Sequence, residues 1–219
     1  MVKKHCIRRT TCIFSLCFAL VSCSAPGIHE PLPNAAHRAK PLSFGLHVTP
    51  DPETNPIDPP ERFSGFHAAQ DFEVSAGEVD GDVPAYAICS GKVIFSGIVE
   101  GYGGLLVHRC KIDGEHVTVL YGHLALKGMA KEGKSVRSGQ TVGLLAPARS
   151  YESGMNRKHL HLGIHKGKNL DVRGYVQTEE ELSTYIDPMT ILSSIFLDLP
   201  GESPGEVPYW QQEETEDEL

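Results

Sequence analysis

Short runs of apolar residues, some alternating with polar ones, follow one another from residue 66 onward and are separated by turns that contain glycine. Runs of this length with turn residues between them are typical of β-strands. We therefore predict an all-β fold of antiparallel strands with a minor helical part. The predicted strands are 85–89, 92–96, 105–110, 116–121, 141–145 and 159–164. Helix is predicted only within 179–196, where Asp187-Pro188 marks its start.

The first 22 residues have the pattern of a secretory signal, with basic residues followed by an apolar run that is too short to span a bilayer. The run ends Leu20-Val-Ser-Cys23, which resembles a bacterial lipobox. This resemblance implies that Cys23 is lipidated and that the chain is a lipoprotein of the cell envelope. In a cell with two membranes, Ser24 suggests the outer one, facing the periplasm. An ordinary signal peptide cut near Cys23 or Ala25 is the alternative.

Charge and composition divide the remaining chain into three parts. Residues 23–40 are rich in Pro, Ala and His without periodicity and predict a flexible linker, residues 41–196 form the folded domain, and residues 197–219 predict an acidic, disordered tail. The chain has 20 basic and 28 acidic residues, a net charge of −8. An acidic balance argues against a nucleic-acid partner, which requires a basic patch.

Two cysteines remain once the signal is removed and Cys23 is lipidated, namely Cys89 and Cys110. If the two strands around the glycine-rich turn pair so that Ser96 faces Gly103, the same register places Cys89 opposite Cys110. Residues opposite each other lie within the distance that a disulfide requires. We therefore predict a disulfide, as expected in an exported protein. Two buried free thiols are the alternative.

Histidines concentrate in three clusters that suit a metal site. His159 and His161 are two residues apart on a predicted strand, so their rings lie on the same face. His67 and Asp71 are four residues apart, so the chain must bend between them if both bind one ion. Imidazole and carboxylate are ligands of Zn²⁺, and three protein ligands leave a position open for water, as in catalytic sites. The third cluster is Tyr121-Gly-His123-Leu124.

In this order, the motifs resemble those of the lysostaphin-type, or LytM-domain, zinc endopeptidases of bacterial cell walls. The matching segments are His67-x-x-x-Asp71, Tyr121-x-His123-Leu124, Gly139-Gln140 and His159-x-His161. The resemblance implies an antiparallel β-sandwich with a groove, of the duplicated-hybrid-motif type. It implies one Zn²⁺ per chain, held by His67, Asp71 and His161, with His123 and His159 as the catalytic pair. Which of the two is the general base and which stabilises the oxyanion is left open.

The sequence thus predicts an exported zinc endopeptidase that hydrolyses peptide bonds in peptidoglycan stems or cross-links. Two alternatives remain. Some LytM-like proteins have lost metal ligands and bind and activate another cell-wall hydrolase, such as an amidase; here all five key residues are present. The fold family also resembles cytoplasmic phosphocarrier domains, but neither the signal nor His67-x-x-x-Asp71 fits that class.

Two departures from the family pattern stand near the site. Ala69 replaces a common glycine, which predicts strain if its φ is positive. Residues 147–158 replace a Gly- and Thr-rich turn with a bulkier, more basic segment that we expect to border the substrate cleft. Three further histidines are expected to be structural or exposed, namely His108, His116 and His165. His47 is expected to border the cleft without a catalytic role.

Overall fold

The computed structural model of the chain describes residues 27–196. The predicted signal, the lipidation site Cys23 and the predicted acidic tail lie outside these residues. Among residues 27–196, no helix has both the length and the apolar character needed to cross a membrane.

Eleven strands lie within the described residues. In chain order they are β1 (His47–Val48), β2 (Gly65–His67), β3 (Gln70–Glu73), β4 (Pro84–Tyr86), β5 (Gly91–Val99), β6 (Gly103–Ile112), β7 (Glu115–Gly122), β8 (Ser135–Val136), β9 (Thr141–Leu144), β10 (His159–Lys166) and β11 (Tyr175–Val176). Two helices follow, α1 (Glu179–Leu182) and α2 (Pro188–Phe196). The prediction of an all-β fold with a minor helical part is confirmed.

The strands form three antiparallel sheets. The largest has the order β3-β10-β7-β6-β5-β8, a smaller one has the order β1-β2-β11, and β4 pairs with β9. Because β2 and β3 belong to different sheets but are separated by only two residues, the chain turns sharply between them. This turn brings the end of β2, the central strand of the three-stranded sheet, next to β3 at the edge of the large sheet.

The large sheet is buried on both faces along much of its length. On one face, Phe72, Tyr121, Leu160 and Leu162 are fully buried in the main core, against which α2 packs through Leu192. On the other face a smaller cluster holds Tyr102, Leu105, Val107 and Leu120. Successive side chains of a strand point to opposite faces, so one sheet supplies both clusters. Tyr102, at one end of the smaller cluster, lies against the rings of His123 and His161.

The register predicted for the hairpin of β5 and β6 is wrong. Ser96 pairs with Leu106 rather than Gly103, and Cys110 pairs with Gly91 rather than Cys89. The strands continue to Val99 and Gly103, so the turn is shorter than the glycines suggest, and an irregularity between Val93 and Phe95 shifts the pairing again.

Cys89 and Cys110 nevertheless form a disulfide, with Cα atoms 6.2 Å apart. Cys89 lies two residues before the start of β5, close enough to reach the neighbouring strand despite the shifted register. The disulfide lies in the main core, where Nε2 of the buried His108 is 3.3 Å from the Cys89 sulfur.

Residues 27–40 differ from the predicted flexible linker. Leu32 and Ala35 are fully buried in the main core. The backbone N–H of His29 donates to the carbonyl of Ile88 at 2.9 Å. Arg38 forms a bidentate salt bridge with Glu78, in which each carboxylate oxygen accepts from one guanidinium nitrogen. The apolar residues of this segment are too few for a periodic pattern, so the sequence does not reveal that they fill the core.

Candidate metal centre

Three predicted ligands converge where the two sheets meet. His67 is the last residue of β2, and Asp71 lies in β3 after the turn at Ala68-Ala69. His161 lies on β10 directly opposite Asp71 in the antiparallel register. The chain therefore bends between His67 and Asp71, as their spacing requires if both are to bind one ion. Ala69 is buried and is not among the residues with positive φ, so the predicted strain is absent.

The ligand atoms have the separations of a tetrahedral metal site. Nε2 of His67 lies 3.2 Å from Nδ1 of His161 and 3.4 Å from Oδ1 of Asp71, and the last two atoms are 3.1 Å apart. With zinc–ligand bonds of about 2.0–2.1 Å, neighbouring ligands of a tetrahedron are about 3.3 Å apart. All three side chains are buried. The residues present therefore fit one divalent ion with three protein ligands.

The outer nitrogens of the two histidines orient their rings. Nδ1 of His67 is 3.3 Å from the carbonyl oxygen of Ser43, to which it donates. Nε2 of His161 is 3.4 Å from the hydroxyl oxygen of Tyr102. Because a carbonyl oxygen only accepts, the first bond fixes the tautomer of His67 and leaves its Nε2 unprotonated for a metal. Burial lowers the pKa of His161 to about 4, which keeps this ring neutral.

The two oxygens of Asp71 have different surroundings. Oδ1 faces the two histidines and is a buried atom without a hydrogen-bond partner. Oδ2 accepts from Nη2 of Arg157 at 2.8 Å and lies 3.1 Å from Nε2 of His159. Burial alone would raise the pKa of Asp71, but the adjacent histidines, above all His159 and His67, hold it well below its usual value. The carboxylate is ionised, and one oxygen is left open toward the ligand cluster.

His123 lies beside the cluster in an unusual backbone conformation. It follows the end of β7 with φ 63°, a conformation that is uncommon outside glycine and often marks a functional position. Its Nδ1 lies 2.9 Å from the carbonyl oxygens of both Tyr102 and Ser153. Because both partners only accept, Nδ1 carries the proton and Nε2 has the free lone pair. Burial, followed by the charges of His159 and His161, lowers the pKa of His123 well below its usual value.

His159 is held on both sides. Its Nδ1 donates to the carbonyl of Arg157 at 3.0 Å, and its Nε2 faces Asp71. Burial and the charge of Arg157 lower the pKa of this ring, but Asp71 and Glu73 outweigh them, so the pKa of His159 is raised. The ring centroids of His159 and His123 are 4.4 Å apart. Two imidazole rings thus lie side by side, and their pKa values are shifted in opposite directions.

A cleft of about 400 Å³ opens over these side chains. Asp71, His123, His159 and His161 line its base. Its apolar lining is Phe63, Val99, Tyr102, Val172 and Tyr175, and charged groups are contributed by Glu61, Glu100 and Arg173. Phe63 stacks on Tyr175, whose ring in turn lies 5.1 Å from that of His67. The volume and the apolar lining suit a short extended peptide segment.

The segment 147–158 borders the cleft and also builds it. Asn156 lines the cleft and donates to the carbonyl of Gly101 at 2.8 Å, while Ser153 provides a carbonyl to His123. Gly154 packs so closely that an added Cβ would lie 2.5 Å from the Gly101 oxygen. By contrast His47 packs edge-on against Phe66 and is not among the lining residues.

Other titratable groups lie away from the cleft. His108 is buried in the main core, His116 is on the surface, and His165 lies 3.8 Å from Asp171. Cys89, His108 and Cys110 form a second group with ligand atoms close together, but the two sulfurs are bonded to each other.

Sequence reasoning missed two site residues. Arg157 contacts Asp71, and Tyr102 contacts His161. Tyr102 lies in the segment Gly101-Tyr-Gly103, which indicates a turn but gives no signal for a side-chain role.

The sequence and the fold are similar to those of known proteins. A family model described as Peptidase family M23 matches residues 65–172. The crystal structure of cbpa from L. salivarius REN is similar at 21% identity and a TM-score of 0.50, covering 80% of this chain and 99% of that one. LytU is similar at 22% identity and a TM-score of 0.47, covering 72% of this chain and 86% of that one. Helicobacter pylori Csd3 is similar at 20% identity and a TM-score of 0.42, covering 79% and 40%. Among curated proteins, no relative matches the sequence.

Proposed function

Residues 65–172 of this chain belong to peptidase family M23, and from this premise we propose that the protein is a zinc-dependent endopeptidase that hydrolyses peptide bonds of peptidoglycan. The observation that carries the proposal is the convergence of His67, Asp71 and His161, with ligand atoms 3.1–3.4 Å apart. A set of three protein ligands is typical of catalytic rather than structural zinc sites.

The three ligands would hold the ion, with Nε2 of His67, Oδ1 of Asp71 and Nδ1 of His161 as donor atoms. When bound, zinc polarises the carbonyl group of a peptide and lowers the pKa of a water molecule. The orphaned Oδ1 atom of Asp71 supports this assignment, because an unpaired buried oxygen is costly unless a cation occupies the space before it.

His123 is suited to accept a proton. Its Nδ1–H is held by two carbonyl groups, so the lone pair of Nε2 is free. A neutral imidazole can take a proton from water and return it to the leaving amine of the cleaved peptide. We assign the role of general base to His123 on this ground. Burial lowers the pKa of this ring and makes it a weak base, so the assignment requires the lowered pKa that bound zinc would give the water molecule.

His159 is suited to the opposite role. Its Nδ1 donates to the carbonyl of Arg157 and its Nε2 lies 3.1 Å from Asp71. Burial lowers its pKa, but Asp71 and Glu73 outweigh this and raise it. We assign it the stabilising role, in which an imidazole at the base of the cleft stabilises the negative charge that develops on the peptide carbonyl oxygen.

We propose that the domain meets its substrate near a membrane of the cell envelope, on the ground of the predicted lipidation site. A lipid anchor at Cys23 would place the domain on a membrane of the cell envelope, where peptidoglycan lies. Gly27 accepts from Ser138 and Ile28 packs on the main core, so three residues of sequence separate Cys23 from the first residue bonded to the domain. At full extension this leaves about 14 Å between Cys23 and Gly27. The enzyme would therefore act close to its membrane. Binding of a cell-wall amidase stays a prediction.

Digestion of purified peptidoglycan by the full chain tests the proposal. We expect the wild type, supplied with zinc, to release peptide fragments whose masses identify the bond that is cut. The variant His161→Ala should release none, whereas His116→Ala, at a half-buried histidine outside the site, should match the wild type. Equal product release by His161→Ala would refute the assignment. Stimulation of an amidase without any peptide cleavage would instead indicate a regulator.

A further inference from the structure

Arg157 forms a buried ion cluster behind the proposed metal centre. Its guanidinium group contacts three carboxylates. Oε1 of Glu73 lies 2.9 Å from Nε and 2.7 Å from Nη2. Nη1 donates to Oε1 of Glu61 at 2.9 Å, and Nη2 donates to Oδ2 of Asp71 at 2.8 Å. All four side chains are buried, with relative exposures between 1% and 7%. A planar guanidinium suits this arrangement, because its donors point in fixed directions to several carboxylates.

The cluster is not neutral by itself. Three carboxylates and one guanidinium leave a formal charge of −2, and unbalanced buried charge is unfavourable. The excess charge lies next to the open oxygen of Asp71. One divalent cation between His67, Asp71 and His161 would bring the sum to zero. The charge balance of the cluster thus matches the ion expected at the ligands.

Arg157 also fixes which oxygen of Asp71 is available. A free carboxylate can rotate and exchange its two oxygens, but the bond from Nη2 holds Oδ2 on the side of Arg157 and His159, away from the ligands His67 and His161. Glu61 and Glu73 hold the guanidinium in turn, on its other donors. Oδ1 therefore faces His67 and His161 before any ion arrives.

The backbone of Arg157 contributes separately. Its carbonyl oxygen accepts from Nδ1 of His159 at 3.0 Å, so the same residue orients the side chain of a ligand and the ring of a proposed catalytic histidine. Arg157 lies two residues before His159, the first residue of β10. The same short segment therefore positions both the carboxylate of Asp71 and the ring of His159.

We propose that Arg157 is a positioning residue of the metal centre, which orients Asp71 through its guanidinium group and, with Glu61 and Glu73, sets the charge that a divalent cation balances. The proposal rests on the metal site of the proposed function. Groups that orient metal ligands in this way typically change metal affinity by about 10- to 100-fold when they are removed.

Zinc affinity of the folded full chain tests this, measured by competition with a chromogenic chelator. Arg157→Met keeps most of the side-chain volume and should lower the affinity about 10- to 100-fold. Arg157→Lys keeps the charge but not the fork of donors, and should also lose at least about tenfold. Glu73→Gln, which loosens Arg157 without removing it, should lose less and serves if the Arg157 variants do not fold.

The matched control is Lys158→Met. Lys158 is the adjacent buried cation, but it donates to the carbonyls of Glu78, Val79 and Gly81, away from the metal ligands. This variant should unfold at lower temperature and bind zinc like the wild type. Wild-type zinc affinity in both Arg157 variants, or an equal loss in Lys158→Met, would overturn the proposal. A failure of the metal site itself is recognised separately, because the wild type would then bind no zinc.

Discussion

The Nδ1 atom of His123 lies 2.9 Å from the carbonyl oxygen of Ser153, in the segment before β10 that departs from the family pattern. Together with the Tyr102 carbonyl, this oxygen fixes the tautomer of His123. A loop that differs in sequence therefore sets the protonation of a proposed catalytic side chain through its backbone. Side-chain changes in the loop can alter the cleft while the tautomer is kept.

The first prediction concerns His123 itself. His123→Ala removes the proposed proton acceptor without touching a ligand, so zinc content should stay near that of the wild type while the rate of peptide hydrolysis falls by about 10²- to 10⁴-fold. Both quantities can be measured on one preparation, by metal analysis and by product release from peptidoglycan. Wild-type activity in this variant would remove His123 from the mechanism.

Gly174 is predicted to be intolerant of a side chain. An added Cβ would lie 2.5 Å from the hydroxyl oxygen of Tyr102 and 3.2 Å from Cε1 of His161. Gly174→Ala should therefore displace the tyrosine or the ligand and reduce zinc affinity, with a cost in stability of about 1–3 kcal/mol.

Gly77→Ala is the control for this change, since no heavy atom lies within 4 Å of its added Cβ. It should leave zinc affinity and the unfolding temperature close to the wild-type values. Equal behaviour of Gly174→Ala and Gly77→Ala would show that the contact at Gly174 is not tight.

Stability should fall in mild acid because of His108. Burial lowers the pKa of this ring from 6.5 to about 4, so the unfolded chain binds a proton that the folded chain does not. The contribution is fully present above pH 6.5 and is lost as the pH falls toward 4. By linkage it amounts to about 3 kcal/mol in the free energy of unfolding.

The variant His108→Phe checks this prediction by denaturant unfolding at several pH values. Phenylalanine can keep the stacking on Tyr121 but cannot be protonated, so the acid-dependent decline should be weaker than in the wild type. The half-buried His116, which lies outside the core, provides the control His116→Gln, which should retain the decline. Parallel curves for His108→Phe and the wild type would contradict the account.

The disulfide should contribute to stability but not to catalysis. The bond joins residues 21 positions apart, and closing a loop of this size in the unfolded chain stabilises the fold by about 3 kcal/mol. The double variant Cys89→Ala/Cys110→Ala should lose this amount and still bind zinc. Thiol labelling of the denatured, unreduced wild type should leave both cysteines unmodified, and their ready modification would show that the bridge is absent.

Several parts of the structure follow from sequence patterns because they depend on local chemistry. Alternating runs and glycine turns indicated the strands, and Asp187-Pro188 indicated the start of α2. The spacing of His67 and Asp71 required a bend, and the chain passes there from one sheet to another.

Other parts depend on contacts that spacing does not encode. The register of β5 and β6 is set by a bulge and a tighter turn, which the three nearby glycines do not reveal. The packing of Leu32 and Ala35 depends on a core completed by distant strands. Likewise, the sequence around Arg157 does not indicate that this side chain is buried and paired. Its partners Glu61, Asp71 and Glu73 are distant in the sequence and are brought together only by the fold.

Metal content of the purified full chain tests the central claim most directly. If His67, Asp71 and His161 hold the ion, the wild type should carry about one zinc per chain, and His161→Ala should carry almost none while keeping a folded β-sheet spectrum. The predicted result is loss of metal without loss of fold. An equal zinc content in the folded His161→Ala variant would contradict the account.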